Sequence, residues 1–163
     1  EVALSKEKMK KINLKIIARS VVDDFNNIYN AKNKIKIELI DTKNKDEYLI
    51  NGIENRVEQI IANLLDNSIS FSKDNKKIIV EINESTNKEI ILKIIDEGTG
   101  FKEKDTNKVF KRFYTNRADS FGKHSGLGLN IVKNLVDLHG ATIDASNNKD
   151  QEGANIEIIF PKV

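Results

Sequence analysis

The sequence predicts an α+β fold: three helices packed on one face of a mostly antiparallel sheet of about five strands. Three observations point there. Three segments carry apolar residues at helical spacing. Five or six short segments alternate or run apolar as strands do. The strands come mostly as sequence neighbours joined by polar turns, which suits hairpins better than parallel crossovers.

Taken in order, residues 1–10 hold only Val2, Leu4 and Met9 as large apolar side chains and read as the solvated end of a helix begun upstream. Residues 14–30 read as an amphipathic helix, with Leu14, Ile17, Val21, Val22, Phe25 and Ile28 near one face. KIKIELI, residues 34–40, alternates as a strand, and residues 48–50 form a short extended piece after a polar loop. The next helix covers about residues 54–71, with Val57, Ile60, Ile61, Leu64 and Leu65 at the i, i+3, i+4, i+7, i+8 spacing of a buried face. Strands at 77–83 and 89–96 flank the turn ESTNK. A long polar stretch punctuated by glycine then runs to Ser125. The last helix reaches His139, with Leu127, Ile131, Leu135 and Leu138 expected inside and Gly140 at the C′ position. Strands at 141–146 and 154–160 close the chain, the second stopped by Pro161.

Bulk properties narrow the function classes. The 163 residues suit one domain with a sizeable core. A net charge of +2, scattered lysines and 6% aromatic residues give no basic, stacking surface for nucleic acid. The chain has no cysteine, which excludes a disulfide framework and thiolate metal sites. No apolar run approaches a membrane span, and the first residues lack a signal-peptide core. Glu1 in place of an initiator Met suggests a piece of a longer chain.

Four features hold residues suited to chemistry. In NLLDNS, Asn63 and Asn67 lie one turn apart on the face opposite the apolar stripe. Asparagine is a mediocre helix former, so two stacked amides beside an aspartate ask for a reason. DEGTGF, residues 96–101, follows a strand. Asp96 is an acceptor suited to an exocyclic amine or an ordered water, although alone the segment reads as a strand ending in a turn. GKHSGLGL, residues 122–129, precedes a helix, where glycine-exposed N–H groups and the helix dipole suit phosphate; the plain alternative is a loop with Ser125 as cap. A P-loop would need glycine where Arg117 stands. VFKRFY, residues 109–114, is either functional or a small satellite core anchoring a long connector. The two histidines make no metal site. His139 ends a helix, where a cation would offset the dipole, and His124 could touch phosphate.

Asn-x-x-Asp-Asn on a helix, Asp-x-Gly-x-Gly after a strand, Phe-x-Arg-Phe-Tyr, then Gly-Leu-Gly-Leu opening a helix: this order resembles the catalytic, ATP-binding domain of bacterial sensor histidine kinases over about residues 13–163. The motifs correspond to that family's N box, first glycine box, F box and second glycine box. The resemblance implies a Bergerat α/β sandwich, shared with DNA gyrase, mismatch-repair ATPases and related chaperones, with a mobile ATP lid over about residues 102–125. It implies Mg2+ held by Asn67, and Asn63 facing the same phosphates where hydrolytic relatives carry a glutamate that activates water. Asp96 would accept from the adenine amino group, Gly98 and Gly100 would let the backbone pass close to the nucleotide, and Phe71 would stack on the base. Asn63 and Arg112 are the implied catalytic positions. Phe101, Tyr114, Lys123, His124, Ser125, Gly126, Leu127, Gly128 and Leu129 complete the implied nucleotide set. The pattern departs from the family at Ser68, commonly Ala, and Ser70, often Lys.

The implied activity is transfer of the γ-phosphate of Mg-ATP to a histidine on a dimerisation hairpin, then to an aspartate of a response regulator receiver domain. Residues 1–12 would be the last turns of that hairpin, whose histidine this sequence lacks. The domain would be cytoplasmic, without membrane contact of its own, in a parent of the inner membrane. A conformational-cycle ATPase and a non-catalytic nucleotide-binding module are the competing classes.

Overall fold

The computed structural model describes residues 8–33, 35–72, 76–102, 105–111 and 128–163. Its elements are β1 (Lys10–Asn13), α1 (Leu14–Asn33), β2 (Lys36–Asp41), β3 (Leu49–Gly52), α2 (Glu54–Phe71), β4 (Lys77–Glu84), β5 (Ile90–Ile95), a 3-10 turn (Thr106–Phe110), α3 (Gly128–Leu138), β6 (Thr142–Asn147) and β7 (Ala154–Phe160). The main sheet has five strands in the order β2-β4-β5-β7-β6. Only β2 joins its neighbour in parallel, against β4; the other pairings are antiparallel.

One face of this sheet is apolar because strand side chains alternate. Along β5, Ile90, Leu92 and Ile94 are buried, and along β7 Ala154, Ile156, Ile158 and Phe160 are, while the residues between them are half-buried. On that other face Lys93 stands opposite Glu157 in register, their charges 3.6 Å apart. The apolar face receives the helices. Val57, Ile60, Ile61, Leu64 and Leu65 of α2 are all fully buried, as the helical spacing predicts. Burying each such side chain is worth roughly 1.5–3 kcal/mol.

Side chains pair with the backbone of one residue on each sheet edge. On β2, Ile37 donates its N–H to Asn26 Oδ1 (3.0 Å), and Asn26 Nδ2 donates to the Ile37 carbonyl (2.8 Å). On β6, Ala145 donates to Asn107 Oδ1 (3.0 Å), and the Thr106 hydroxyl donates to the Ala145 carbonyl. Each pair stands in for a missing neighbour strand and blunts the edge against other chains.

The structure corrects several sequence expectations. Lys10–Asn13 is not the tail of a helix. It is a strand, antiparallel to β3, with Lys10 opposite Gly52 and Ile12 opposite Ile50. Its partner lies nearly forty residues on, which no local pattern announces, and Asn13 then caps α1 by accepting the Lys15 N–H at 3.1 Å. Ile28 was expected inside but is 53% exposed. Asn26 faces the β2 edge, and two residues further along a helix points the opposite way. Ile131 and Leu138 are likewise exposed. Leu135 is buried as expected, but its buried companions on α3 are Val132 and Val136. Val109 and Phe110 belong to the main core rather than a satellite.

His139 is not a cation at a helix end. It is buried, and its Nε2 accepts the N–H of Ile53, the residue preceding α2, at 3.1 Å. The ring is therefore neutral, with Nδ1 donating to the Leu135 carbonyl at 2.7 Å. Gly140 has the left-handed backbone (φ 66°) of a C′ glycine.

Candidate nucleotide site

The four motifs were separate in sequence, and the described parts of them meet at one end of the sheet. α2 presents Asn63 and Asn67, both half-buried, beside its fully buried apolar stripe. It ends at Phe71, which is itself buried, so its ring has little free face. The Phe71 carbonyl abuts Gly98: a Cβ added at Gly98 would lie 2.3 Å from that oxygen. No other residue permits this approach without displacing a backbone. The end of α2, one turn beyond Asn67, and the 96–101 loop are thus packed together.

Asp96 is 1% exposed at the start of the loop. Its Oδ1 accepts two backbone N–H groups, from Gly98 and from Ala154, each at 3.0 Å. Its own N–H donates to the Ala154 carbonyl, also at 3.0 Å. The carboxylate is therefore oriented by the chain itself, and so can act as a fixed acceptor rather than a free charge. Gly98 and Gly100 are buried, Gly100 with a left-handed backbone at φ 73°. Phe101, which ends the loop, joins the main core.

Three buried side-chain atoms among the described residues have no hydrogen-bond partner: Asn67 Nδ2, Thr99 Oγ1 and Asn155 Oδ1. Two of the three belong to the helix motif and the glycine loop. Leaving such a group unpaired costs about 1–3 kcal/mol, so each orphan asks for a partner beyond the described residues.

Gly128 is exposed and Leu129 half-buried at the first turn of α3. Asn130, one residue on, donates to the Phe110 carbonyl (3.2 Å) and so ties α3 to the 3-10 turn. Arg112, Tyr114, Lys123, His124, Ser125, Gly126 and Leu127 lie outside the described residues, as does most of the expected lid. At the departures from the family pattern, Ser68 is buried and Ser70 donates its hydroxyl to the Asp66 carbonyl at 2.9 Å.

Sequence reasoning missed the residues that grip the loop from β6 and β7. Asn147, Asn148 and Gly153 all touch it, yet in sequence they read as ordinary turn formers.

Residues 52–163 match the family described as histidine kinase-, DNA gyrase B-, and HSP90-like ATPase. The chain belongs to that family. This ATPase-family domain is similar to the sensor protein ChvG of Rhizobium meliloti, with 31% identity over 156 residues, covering 92% of the domain and 27% of ChvG. The domain thus spans about a quarter of that relative's length. Its fold is that of histidine kinase catalytic domains. The catalytic domain of histidine kinase ThkA superposes with a TM-score of 0.80 at 22% identity, covering 95% of this chain and 96% of that one. ThkA in complex with the response regulator protein TrrA superposes with a TM-score of 0.78 at 22% identity, over 99% of this chain and 45% of that one. The Bergerat sandwich expected from the motifs is therefore the fold observed. No described helix is long and apolar enough to cross a membrane.

Proposed function

We propose that this domain binds Mg-ATP beside the Asn63–Asn67 face of α2 and the 96–101 loop. It donates the γ-phosphate to a histidine on a dimerisation hairpin of the same sensor kinase. The phosphate then passes to an aspartate of a response regulator receiver domain. The parent kinase belongs to the inner membrane, with this domain in the cytoplasm.

The observation that carries the reading is the buried Asn67 amide nitrogen, which has no partner among the described residues and lies one turn before α2 ends against the loop at Gly98. A carboxamide can present either end by rotating, so the same group can offer its oxygen to a hard cation. Asn67 therefore fits Mg2+, which would neutralise phosphate charge when bound.

The chain's own residues then divide the work. Asp96, held by two backbone N–H groups, accepts from the adenine amine and selects the base. Arg112 supplies positive charge to the transferred phosphoryl group. Asn63 faces the phosphates, and its amide cannot take a proton from water at neutral pH. The nucleotide is held for a histidine nucleophile instead of being hydrolysed.

Two assays on the chain test this. With labelled ATP, label should appear on the hairpin histidine when the hairpin is supplied in trans, while turnover without it stays slow. Sustained hydrolysis with no acceptor would move the assignment to a conformational-cycle ATPase, and binding without transfer would move it to a regulatory module.

A further inference from the structure

We infer that Asn147 and Asn148 are positioning residues that hold the 96–101 loop at both ends and thereby set its selectivity for the base. The inference rests on the reading of this loop as the adenine side of a nucleotide site.

Asn147 grips the end of the loop. Its Oδ1 accepts the Phe101 N–H at 2.7 Å, and its Nδ2 donates to the Phe101 carbonyl at 2.9 Å. This two-bond pairing imitates one rung of a sheet, and it comes from a side chain at the last residue of β6. Asn148 grips the beginning: its Nδ2 donates to the Asp96 carbonyl at 2.8 Å. Its own backbone N–H donates to the Gly153 carbonyl at 3.0 Å, which fixes where that amide starts.

Gly153 leaves the space this arrangement needs. A Cβ there would lie 2.0 Å from the Asp96 carbonyl oxygen and 2.7 Å from Asn148 Nδ2, and its φ of 132° already disfavours any side chain. Between the two grips lie residues 97–100, the home of the orphaned Thr99 hydroxyl. Together with the Ala154 backbone bonds to Asp96, the two neighbouring amides thus fix where Asp96 and Phe101 sit, and so where a base can lie against them. Neither asparagine needs to touch the ligand.

The test compares binding of ADP and inosine diphosphate, which lacks the exocyclic amine, to the parent chain and to Asn148→Ala, Asn148→Asp and Asn147→Ala. Asn148→Asp keeps the shape and removes the donor. The parent should prefer ADP. In the variants the ADP-to-IDP ratio should shrink by about five- to tenfold, the order expected for one lost hydrogen bond to the loop. IDP affinity should move little, and amide exchange at Gly98 and Phe101 should quicken. A merely structural role would lower both affinities together and leave the ratio alone. A parent that discriminates, with variants that discriminate equally, overturns this inference alone. A parent that binds neither nucleotide overturns the nucleotide reading and this inference with it.

Discussion

Asparagine does opposite work on the two sides of the 96–101 loop. On the α2 side, Asn67 keeps a buried amide nitrogen without a partner among the described residues. On the β6 side, Asn147 engages the Phe101 backbone with both ends of its amide, and Asn148 donates to the Asp96 carbonyl. One side chain is left unsatisfied at the proposed nucleotide site, and the others are satisfied where they hold the chain. The energies differ in sign. A paired amide contributes about 0.5–1.5 kcal/mol, whereas an unpaired buried one costs about 1–3 kcal/mol. The far end of the sheet behaves like the β6 side. There Lys15 reaches Asp41 at 2.8 Å, the Tyr48 hydroxyl donates to Asp41, and Lys45 reaches Glu84 at 2.9 Å.

The strongest test of this contrast lies in the buried stripe next to Asn67 on the same helix. Leu64→Ala should destabilise the fold by about 2–5 kcal/mol in denaturant unfolding, because Leu64 is fully buried and the cavity cannot close. Asn67→Ala should lower Mg-nucleotide affinity by roughly ten- to hundredfold in calorimetry, the order for a lost contact to a charged group. The stability of the nucleotide-free chain should stay level or rise in that variant, since an orphan is removed. A fall would mean that Asn67 is a structural amide after all. Asn148→Ala should differ by also losing about 0.5–1.5 kcal/mol of stability in the absence of any nucleotide, beside its loss of base selectivity.

The far-end cluster offers a smaller, pH-dependent check. Burial pushes the Asp41 carboxyl up, but hydrogen bonds from Lys15, Tyr48 and the Lys45 amide, with the Lys15 charge, hold it below its ordinary value of 3.8. Burial and the bond to Asp41 push the Tyr48 hydroxyl up to about 12. A carboxyl lowered in the folded state stabilises the fold above 3.8, and that contribution is lost as pH falls through the folded value. Unfolding measured across the acid range should therefore show a decline that Asp41→Asn flattens. The same variant should leave nucleotide affinity at neutral pH unchanged, and a change there would deny that this end is purely structural.

The fold was legible where local periodicity and burial agree. Residues 54–71 and 154–160 were expected as helix and strand, and α2 and β7 have those bounds. In both, the apolar pattern is long, and in the strand Pro161 ends it. Legibility failed where the partner is distant. β1 is four residues of mostly polar sequence, recognisable only once β3 lies beside it. Ile28, Ile131 and Leu138 fit an apolar stripe on paper, but which stripe of a helix is covered depends on what packs against it. His139 looked like an end-of-helix cation and is a buried acceptor for Ile53, eighty-six residues away in the chain.

Sequence alone determined that this chain would fold as helices on one face of a mostly antiparallel sheet, and it placed paired amides, an aspartate and glycines in an order that resembles one family. Those features follow from short-range rules: periodicity, chain reversal and the spacing of polar groups along one element. Only the tertiary structure decided that α2 would end against Gly98, that Asp96 would be held by Ala154, and that two turn-like asparagines would grip the loop between them. Those contacts join residues distant in the chain, and hydrogen bonds between distant residues have no local signature until packing brings their donors and acceptors within about 3 Å.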